Sequence, residues 1–427
     1  MRWRALMLAA LLTLAAVPAP AGEPVPAVAT DARLVGDGER TRLVVDLSRV
    51  VTLDAFTLAD PYRVVVDIPD IAFSLPAATG QEGRGLVSAY RFGLFAPRRG
   101  RLVIDANAPV AIDRAFVLEP IDDQPARLVI DLVRTDRATF LKSASVPVRR
   151  PDPVAAVPPA ARHAAATDPR PMIVIDPGHG GVDSGAVNSA AGITEKVVVL
   201  GIARELRDRL AATGRYQTAL TREDDSFVPL GERVRIARDR HAELFISLHA
   251  DSLSGRDTDV RGATIYTLAD HASDAEAQRL ADDENKADLI SGLNLSEEPT
   301  DVADILFDLA QRETRNFSAQ FARTLAGQVS SAARMHKSPL KSAGFKVLRA
   351  PDVPSVLFEL GYLSSRKDLE LMTSAAWRSK VTEAMVEAID AYFTTLKPVK
   401  GDAARRPVTA AEAMSGPVAV QPAAIRP

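Results

Sequence analysis

The stretch IVIDPGHGGVDSGA, residues 173–186, decides how the rest of the chain is interpreted. An apolar run ends in Asp176, and His179 follows after Pro177 and Gly178 and is itself followed by two more glycines. Ligands of open α/β folds bind at the carboxyl ends of strands, so a histidine placed there is a candidate metal ligand. A tight turn that happens to contain a histidine is the alternative, and only partner residues elsewhere in the chain distinguish the two.

Outward from this stretch, residues 172–396 alternate between strand and helix patterns. A helix is expected to begin at Glu195 behind Thr194, and LGERVRIARDR predicts a second helix. The predicted strands are MIVID (172–176), YQTALT (216–221), LFISLHA (244–250), ATIYTL (263–268), KVLRA (346–350) and SVLFEL (355–360). This alternation predicts an α/β catalytic domain with a mostly parallel sheet flanked by helices.

Within this domain, residues from about 269 to 341 are rich in alanine and charge, with apolar residues at helical spacing. The stretch is longer than a crossover between two strands requires. It predicts a helical insertion beside the suspected site, where insertions often control access.

Residues 30–140 carry short apolar segments with a period of two, and three of them repeat one theme: RLVVDL, RVVVDI and RLVIDL. The pattern predicts a small all-β sandwich domain ahead of the α/β domain. It contains no cluster of catalytic residue types, which favours a binding or targeting module. Residues 141–171, rich in proline and alanine, predict a linker, and residues 397–427 predict a disordered tail.

The first 21 residues read as an export signal, because Arg2 and Arg4 precede a short apolar run that ends in Ala19-Pro20-Ala21. The run is too short for a comfortable membrane span, so no transmembrane anchor is expected after cleavage. The 427-residue chain has a net charge of -3, which gives no electrostatic reason for binding nucleic acid. It contains no cysteine, so any metal must be held by histidines and carboxylates.

Four residues of metal-site type fall at the ends of predicted elements: His179, Glu195, His249 and Glu359. Each has an ordinary structural explanation when taken alone, as a turn residue, a helix-start acid or half of an ion pair. Together they can converge at one sheet edge. A catalytic zinc takes three nitrogen or oxygen ligands plus water, and a further carboxylate nearby can act as acid and base.

These residues lie in motifs that resemble the zinc-dependent N-acetylmuramoyl-L-alanine amidases. The similarity covers residues 172 to about 393 through DPGHGG, TEK, SLHAD and FELGYLS, with Ser365 standing where many relatives carry Asn. The resemblance implies that His179, Glu195 and His249 bind Zn²⁺ and that Glu359 is the catalytic acid and base. The implied substrate is the peptidoglycan amide between N-acetylmuramic acid and the L-alanine of the stem peptide.

The same resemblance extends to regulation and location. The β-rich region resembles the AMIN domain, which implies a periplasmic enzyme acting at the division site. The 269–341 insertion resembles a regulatory segment that occludes the zinc until an activator with a degenerate metallopeptidase domain displaces it, and Glu276 or Glu284 is the candidate occluding residue. Arg222 and Arg233 are candidates for binding substrate carboxylates, and internal ion pairs are their alternative.

Two rival functions stay open from the sequence. The first is a zinc peptidase or deacetylase that acts on another envelope amide. The second is a non-catalytic scaffold that binds peptidoglycan, against which the intact set of His179, Glu195, His249 and Glu359 argues.

Overall fold

The computed structural model describes residues 25–121, 124–144, 168–252, 261–291 and 305–396. The predicted signal (1–21), the predicted tail (397–427) and most of the predicted linker (141–171) lie outside these residues and stay predictions. In the described residues, no helix combines the length and the apolar character needed to cross a membrane.

The N-terminal domain is an all-β sandwich, as the period-two pattern predicted. Its strands are β1 (Ala27–Gly36), β2 (Arg40–Leu47), β3 (Asp54–Leu58), β4 (Arg63–Pro69), β5 (Ile71–Phe73), β6 (Val87–Ala96), β7 (Arg99–Ala106), β8 (Val110–Leu118) and β9 (Ala126–Arg134). One sheet has the order β5-β1-β2-β9-β8 and the other the order β3-β4-β7-β6. A short helix, α1 (Arg137–Ala144), follows and was not predicted.

Alternation along the strands explains the sandwich. Leu43 and Val45 of β2 face Val64 and Val66 of β4 in one buried apolar cluster between the sheets. The repeated Arg-apolar-Asp theme has a structural use as well, because Arg42 of β2 is in register with Asp131 of β9 and pairs with it. The apolar residues of the repeat therefore form the core while its charged ends form cross-strand ion pairs.

The second domain contains a six-stranded sheet of order β13-β10-β14-β17-β15-β16. Its strands are β10 (Met172–Pro177), β13 (Gln217–Leu220), β14 (Leu244–His249), β15 (Ala263–Leu268), β16 (Met335–Ala343) and β17 (Ser355–Glu359), and β11 (Val187–Asn188) pairs with β12 (Ile193–Thr194) in a small separate hairpin. β13, β10, β14 and β17 run parallel, whereas β15 is antiparallel to β17. The mostly parallel sheet predicted from the sequence is thus confirmed.

Helices cover both faces of this sheet. They are α2 (Glu195–Ala212), α3 (Leu230–Asp239), α4 (Ala275–Glu284), α5 (Ala287–Ile290), α6 (Ile305–Val329), α7 (Arg366–Thr373) and α8 (Ala375–Leu396). Ile173 and Ile175 of β10 join a core with α2, α6 and α8, and Val174 joins the core of the opposite face with α3 and α4. Both faces of β10 are buried, which is why its sequence shows an apolar run instead of alternation.

Two features differ from the sequence prediction. The predicted strand at 346–350 is wrong, because Lys346–Leu348 is a 3-10 turn and β16 occupies the sheet position beside β15. The predicted 269–341 insertion divides into two structural parts. α4 and α5 lie near the end of β10, whereas Phe321 and Leu325 of α6 belong to the central core, so α6 is an ordinary crossover helix.

Candidate metal centre

The site is built on the turn that follows β10, and the side chains of two arginines bind the main-chain carbonyls of that turn. Arg222 donates to the carbonyls of Pro177 (2.9 Å) and Gly178 (2.8 Å), and Arg233 donates to the carbonyl of His179 (2.7 Å). Arg233 also pairs at 2.8 Å with the buried Asp176. The turn needs such support because His179 adopts a φ of 58°, a left-handed conformation that is unfavourable for a residue with a side chain.

Two glycines leave the space that the site requires. A Cβ at Gly178 would lie 2.5 Å from His249 Cε1, and a Cβ at Gly185 would lie 2.6 Å from the Glu195 carboxylate. Gly185 also has a φ of +61°, which favours glycine in itself. The glycine-rich sequence around His179 therefore admits the side chains of two other elements.

Three predicted ligands converge here: His179 after β10, Glu195 at the first turn of α2, and His249 at the end of β14. Their donor atoms lie within 4.8 Å of one another, so the three side chains can hold one metal ion. Glu195 Oε1 is 3.1 Å from His179 Nε2 and 3.2 Å from His249 Nδ1. We refer to these three residues as the metal centre.

The hydrogen-bonding pattern around the metal centre is more typical of a metal site than of buried side chains that satisfy one another by hydrogen bonds. His179 Nδ1 lies 3.0 Å from Asp183, and this contact orients the ring so that Nε2 faces His249 and Glu195. In the described structure, His179 Nε2 and His249 Nδ1 are buried without a hydrogen bond of normal geometry. Buried polar atoms are rarely left unpaired, and a histidine fixed by a carboxylate through its other nitrogen is typical of metal ligands.

The electrostatics of the centre also favour a cation. Burial alone would lower the pKa of His179, but Glu195, Asp183 and Glu284 raise it well above its ordinary value. Burial likewise opposes the shift at His249, where Glu284 and Glu195 raise the pKa to about 10. Both rings therefore lie in a strongly negative environment, in which a divalent cation would be stabilised.

Glu359, at the end of β17, lies beside the metal centre in full burial. Its Oε2 accepts a hydrogen bond from the Asp251 amide at 3.1 Å, and its Oε1 is buried with no hydrogen-bond partner among the described residues. Burial raises the pKa of Glu359 well above the ordinary value; His249 opposes this shift, and Glu195, Asp251 and Glu284 add to it. A carboxyl with a raised pKa can both accept and return a proton near neutral pH.

The structure distinguishes between the two candidate occluding acids. Glu284, in the last turn of α4, places its carboxylate 3.3 Å from His249 Nδ1 and 3.7 Å from His179 Nε2. Glu276, about two helix turns before Glu284 in α4, instead accepts from Lys341 Nζ at 2.7 Å and from the Tyr362 hydroxyl at 3.4 Å. Of the two, only Glu284 faces the metal centre.

Arg222 and Arg233 lie beneath the site and are 3% and 2% exposed. Their guanidinium groups donate to main-chain carbonyls and to Asp176, as described above. Burial lowers the pKa of Arg222 to about 10, with Arg233 acting in the same direction. These contacts favour the structural alternative over substrate binding, because a substrate carboxylate would have to displace the bonds that shape the His179 turn.

Two residues of the site were not singled out from the sequence. Asp183, which orients His179, follows it by four positions in the opening motif, and that spacing is the signal that could have identified it. Asp251 directly follows the SLHA strand end and lies near Glu359. Its desolvation and the charges of Glu195 and Glu284 raise the pKa of Asp251 to about 7.

A buried edge that joins two histidine nitrogens, a carboxylate that can ligate a metal and a second carboxyl is typical of metal-dependent hydrolases. The N-acetylmuramoyl-L-alanine amidase family model matches residues 173–391, and the AMIN domain model matches residues 31–132. The chain belongs to the N-acetylmuramoyl-L-alanine amidase family.

Full-length relatives share both regions. N-acetylmuramoyl-L-alanine amidase AmiC of Escherichia coli O6:H1 is 33% identical over 83% of this chain and 86% of its own. The protein of the same name from Neisseria meningitidis serogroup B is 32% identical over 86% of this chain and 90% of its own. Among solved structures, N-acetylmuramoyl-L-alanine amidase AmiC2 of Nostoc punctiforme aligns with 52% of this chain and 97% of its own, at 27% identity and a TM-score of 0.37.

Proposed function

We propose that the protein is a zinc-dependent hydrolase of the peptidoglycan amide that joins N-acetylmuramic acid to the L-alanine of the stem peptide. The observation that carries the proposal is the convergence of His179, Glu195 and His249, whose ligand atoms lie within 4.8 Å of one another, with Glu359 in register beside His249. Two histidines and one carboxylate form a common catalytic zinc set. Family membership supports the choice of substrate.

The zinc ion and the residues of the chain would contribute different parts of the reaction. When bound, Zn²⁺ supplies Lewis acidity, which lowers the pKa of a water molecule and polarises a carbonyl. Glu359 accepts a proton from the attacking water and delivers it to the L-alanine nitrogen as the C–N bond breaks. The products are a glycan strand with a free lactyl carboxylate and a peptide with a free amino group.

We also propose that Glu284 inhibits the resting enzyme. Its carboxylate lies within 3.3–3.7 Å of both histidine nitrogens that would hold the metal, and there we expect it to compete with water or substrate for the metal. The Glu284 side chain is itself buried, so we propose that a movement of α4 withdraws it from the centre. An activator protein with a degenerate metallopeptidase domain is the proposed agent of this movement.

The proposed setting is the periplasm at the division site, reached through the predicted signal of residues 1–21. The similarity of both domains to AmiC proteins supports this setting. The N-terminal domain would then be the targeting module.

The deciding experiment is mass spectrometry of the products released from peptidoglycan by the purified full chain and by Glu284→Ala, each with and without a zinc chelator. We expect chelator-sensitive release of stem peptides that begin with free L-alanine, faster from the variant than from the native chain. Release of a different fragment would replace the amidase by a peptidase or deacetylase. No release from either protein, together with no bound zinc, would favour a non-catalytic scaffold.

A further inference from the structure

The β-sandwich domain contacts the α/β domain beside the metal centre. Val65 of β4 and Val103 of β7 share a buried apolar cluster with Val182 and Phe227, which flank the turn of His179 and the loop before α3. The Phe227 amide also donates to the Leu94 carbonyl of β6 at 3.1 Å. The outer face of the β3-β4-β7-β6 sheet is thus an interface within the chain.

Three arginines on this face contact three consecutive carbonyls at the end of α5. Arg63 donates to the carbonyl of Leu289, Arg91 to that of Ile290 at 3.4 Å, and Arg101 to that of Ser291 at 3.1 Å. The arginines come from three neighbouring strands, β4, β6 and β7, and share the outward face with Val65 and Val103. We call Arg63, Arg91 and Arg101 the clamp arginines.

Acidic and aromatic neighbours fix two of the clamp arginines, Arg101 and Arg91, in place. Asp67 accepts from Arg101 at 2.6 and 2.8 Å, and the Arg101 guanidinium lies 3.5 Å from the centre of the Phe95 ring. Asp105 pairs with Arg91. A guanidinium held in this way loses little side-chain entropy when it binds a carbonyl. Its remaining N–H groups are therefore already positioned to donate to a main-chain oxygen.

The carbonyls that the clamp binds belong to the same short segment as Glu284. Residues 275–291, comprising α4 and α5, are called the regulatory segment below; Glu284 ends α4, and the three carbonyls follow it by five to seven positions. Ser291 is fully buried. α5 is also attached to the α/β domain, because the Leu230 amide donates to Asp288 at 3.0 Å.

We propose that the β-sandwich domain is a clamp on the regulatory segment. Its three arginines hold the carbonyl end of α5 and thereby keep Glu284 at the metal centre. The proposal rests on the occluding role proposed for Glu284. It assigns the N-terminal domain a second use besides targeting: a partner that draws the sandwich away from α5 would release Glu284 without touching the catalytic residues.

The test compares two arginines that have the same ion-pair geometry but different neighbours. Arg101 binds Asp67 at 2.6 and 2.8 Å and also reaches Ser291; Arg42 binds Asp131 at 2.6 and 2.8 Å in the other sheet. Arg101→Lys and Arg42→Lys in the full chain each replace the bidentate fork by a single ammonium. Only Arg101→Lys should loosen the regulatory segment.

The primary measurement is hydrogen exchange of the backbone amides of residues 284–291, which requires neither metal nor substrate. We expect exchange on the order of tenfold faster in Arg101→Lys, because one charge-assisted hydrogen bond to the segment is lost, and a change within about twofold in Arg42→Lys. Basal release of stem peptides should rise in parallel. Arg63→Ala removes a different clamp contact and should behave like Arg101→Lys. This second variant keeps the test valid if Arg101→Lys unfolds the sandwich.

A Glu284→Ala background separates the clamp from the proposed inhibition. If Glu284→Ala raises hydrolysis while Arg101→Lys and Arg63→Ala match Arg42→Lys, the clamp is overturned and the inhibition stands. If Glu284→Ala leaves hydrolysis unchanged, the inhibition itself fails. Adding Arg101→Lys to Glu284→Ala should raise hydrolysis no further, and an additive increase would also contradict the clamp.

Discussion

The sandwich and the metal-centre edge of the α/β sheet differ in how their acidic side chains are paired. In the sandwich, acids are matched by arginines, as in Arg42 with Asp131 and Arg101 with Asp67. At the edge of the α/β sheet, Glu195, Glu284 and Glu359 are buried around two histidines, and among the described residues none of the three pairs with a lysine or arginine.

This difference distinguishes charges that stabilise the fold from charges that can bind a ligand. A buried charge is costly unless it is paired, so matched pairs need nothing further. Burial and the neighbouring carboxyls instead raise the pKa of Glu359 and of Asp251, and the unmatched negative charge favours an added cation. The sheet edge therefore favours binding of a cation, whereas the paired arginines Arg91 and Arg101 of the sandwich donate to main-chain carbonyls.

The largest effect is expected from replacing one of the proposed metal ligands at the edge of the α/β sheet. We expect His249→Ala to lose both bound zinc and hydrolysis, because one of three protein donors is removed from an otherwise acidic centre. Metal analysis and product release provide the measurement. His336→Ala is the matched control, since His336 is also buried but bonds through Nδ1 to the Ser338 amide. Full zinc content in His249→Ala would remove it from the ligand set.

Glu359→Gln should separate metal binding from catalysis. The amide cannot shuttle a proton, so hydrolysis should fall by roughly 10²- to 10⁴-fold. Zinc content should stay unchanged because Glu359 is not a proposed ligand. The comparison is made in the Glu284→Ala background so that inhibition does not mask the loss, with Glu276→Gln as control. Substantial residual turnover would assign the proton transfer to another group, with Asp251 the nearest candidate.

Asp183→Asn tests how much the orientation of His179 contributes. The amide keeps the size of the side chain but loses the charge that faces Nδ1, and zinc affinity should weaken by roughly 10- to 100-fold. Competition with a chromogenic chelator gives the affinity directly. An unchanged zinc affinity would mean that the contact with Asp183 does not determine the orientation of the His179 ring.

The smallest effect is expected from removing one arginine–aspartate pair of the sandwich. Arg42→Ala should lower the free energy of unfolding by at most about 1 kcal/mol, because the arginine is half exposed and screened by solvent. The hydrogen bond from Arg42 lowers the pKa of Asp131 below its ordinary value of 3.8. The contribution of the pair should therefore be fully present above pH 3.8 and disappear as the pH falls below it.

Denaturant unfolding of the native chain and of Arg42→Ala at several pH values measures this contribution. The two curves should converge below pH 3.8 and stay separated by a constant amount above it. Hydrolysis should be unaffected throughout, and a loss of hydrolysis would contradict the division of roles between the two domains.

The sequence could predict the metal centre because its ligands stand at the ends of regular elements. A histidine after a buried strand, an acid opening a helix and a second strand-end histidine are visible as local patterns, and parallel strands bring their carboxyl ends to one edge. The roles of Arg222 and Arg233 were not visible in this way. Both are arginines near the motif, and only the positions of the carbonyls of residues 177–179 show that they hold the turn.

The sequence by itself determined the two fold classes, the sheet edge and its four principal residues, because apolar periodicity and strand ends are local properties of the chain. The tertiary structure alone decided that Glu284 and not Glu276 faces the metal centre, and that the arginines of the sandwich reach the end of α5. The arginine contacts join residues up to 226 positions apart, and their partners are main-chain carbonyls. A carbonyl is present at every position, so no sequence pattern marks the few that become binding partners.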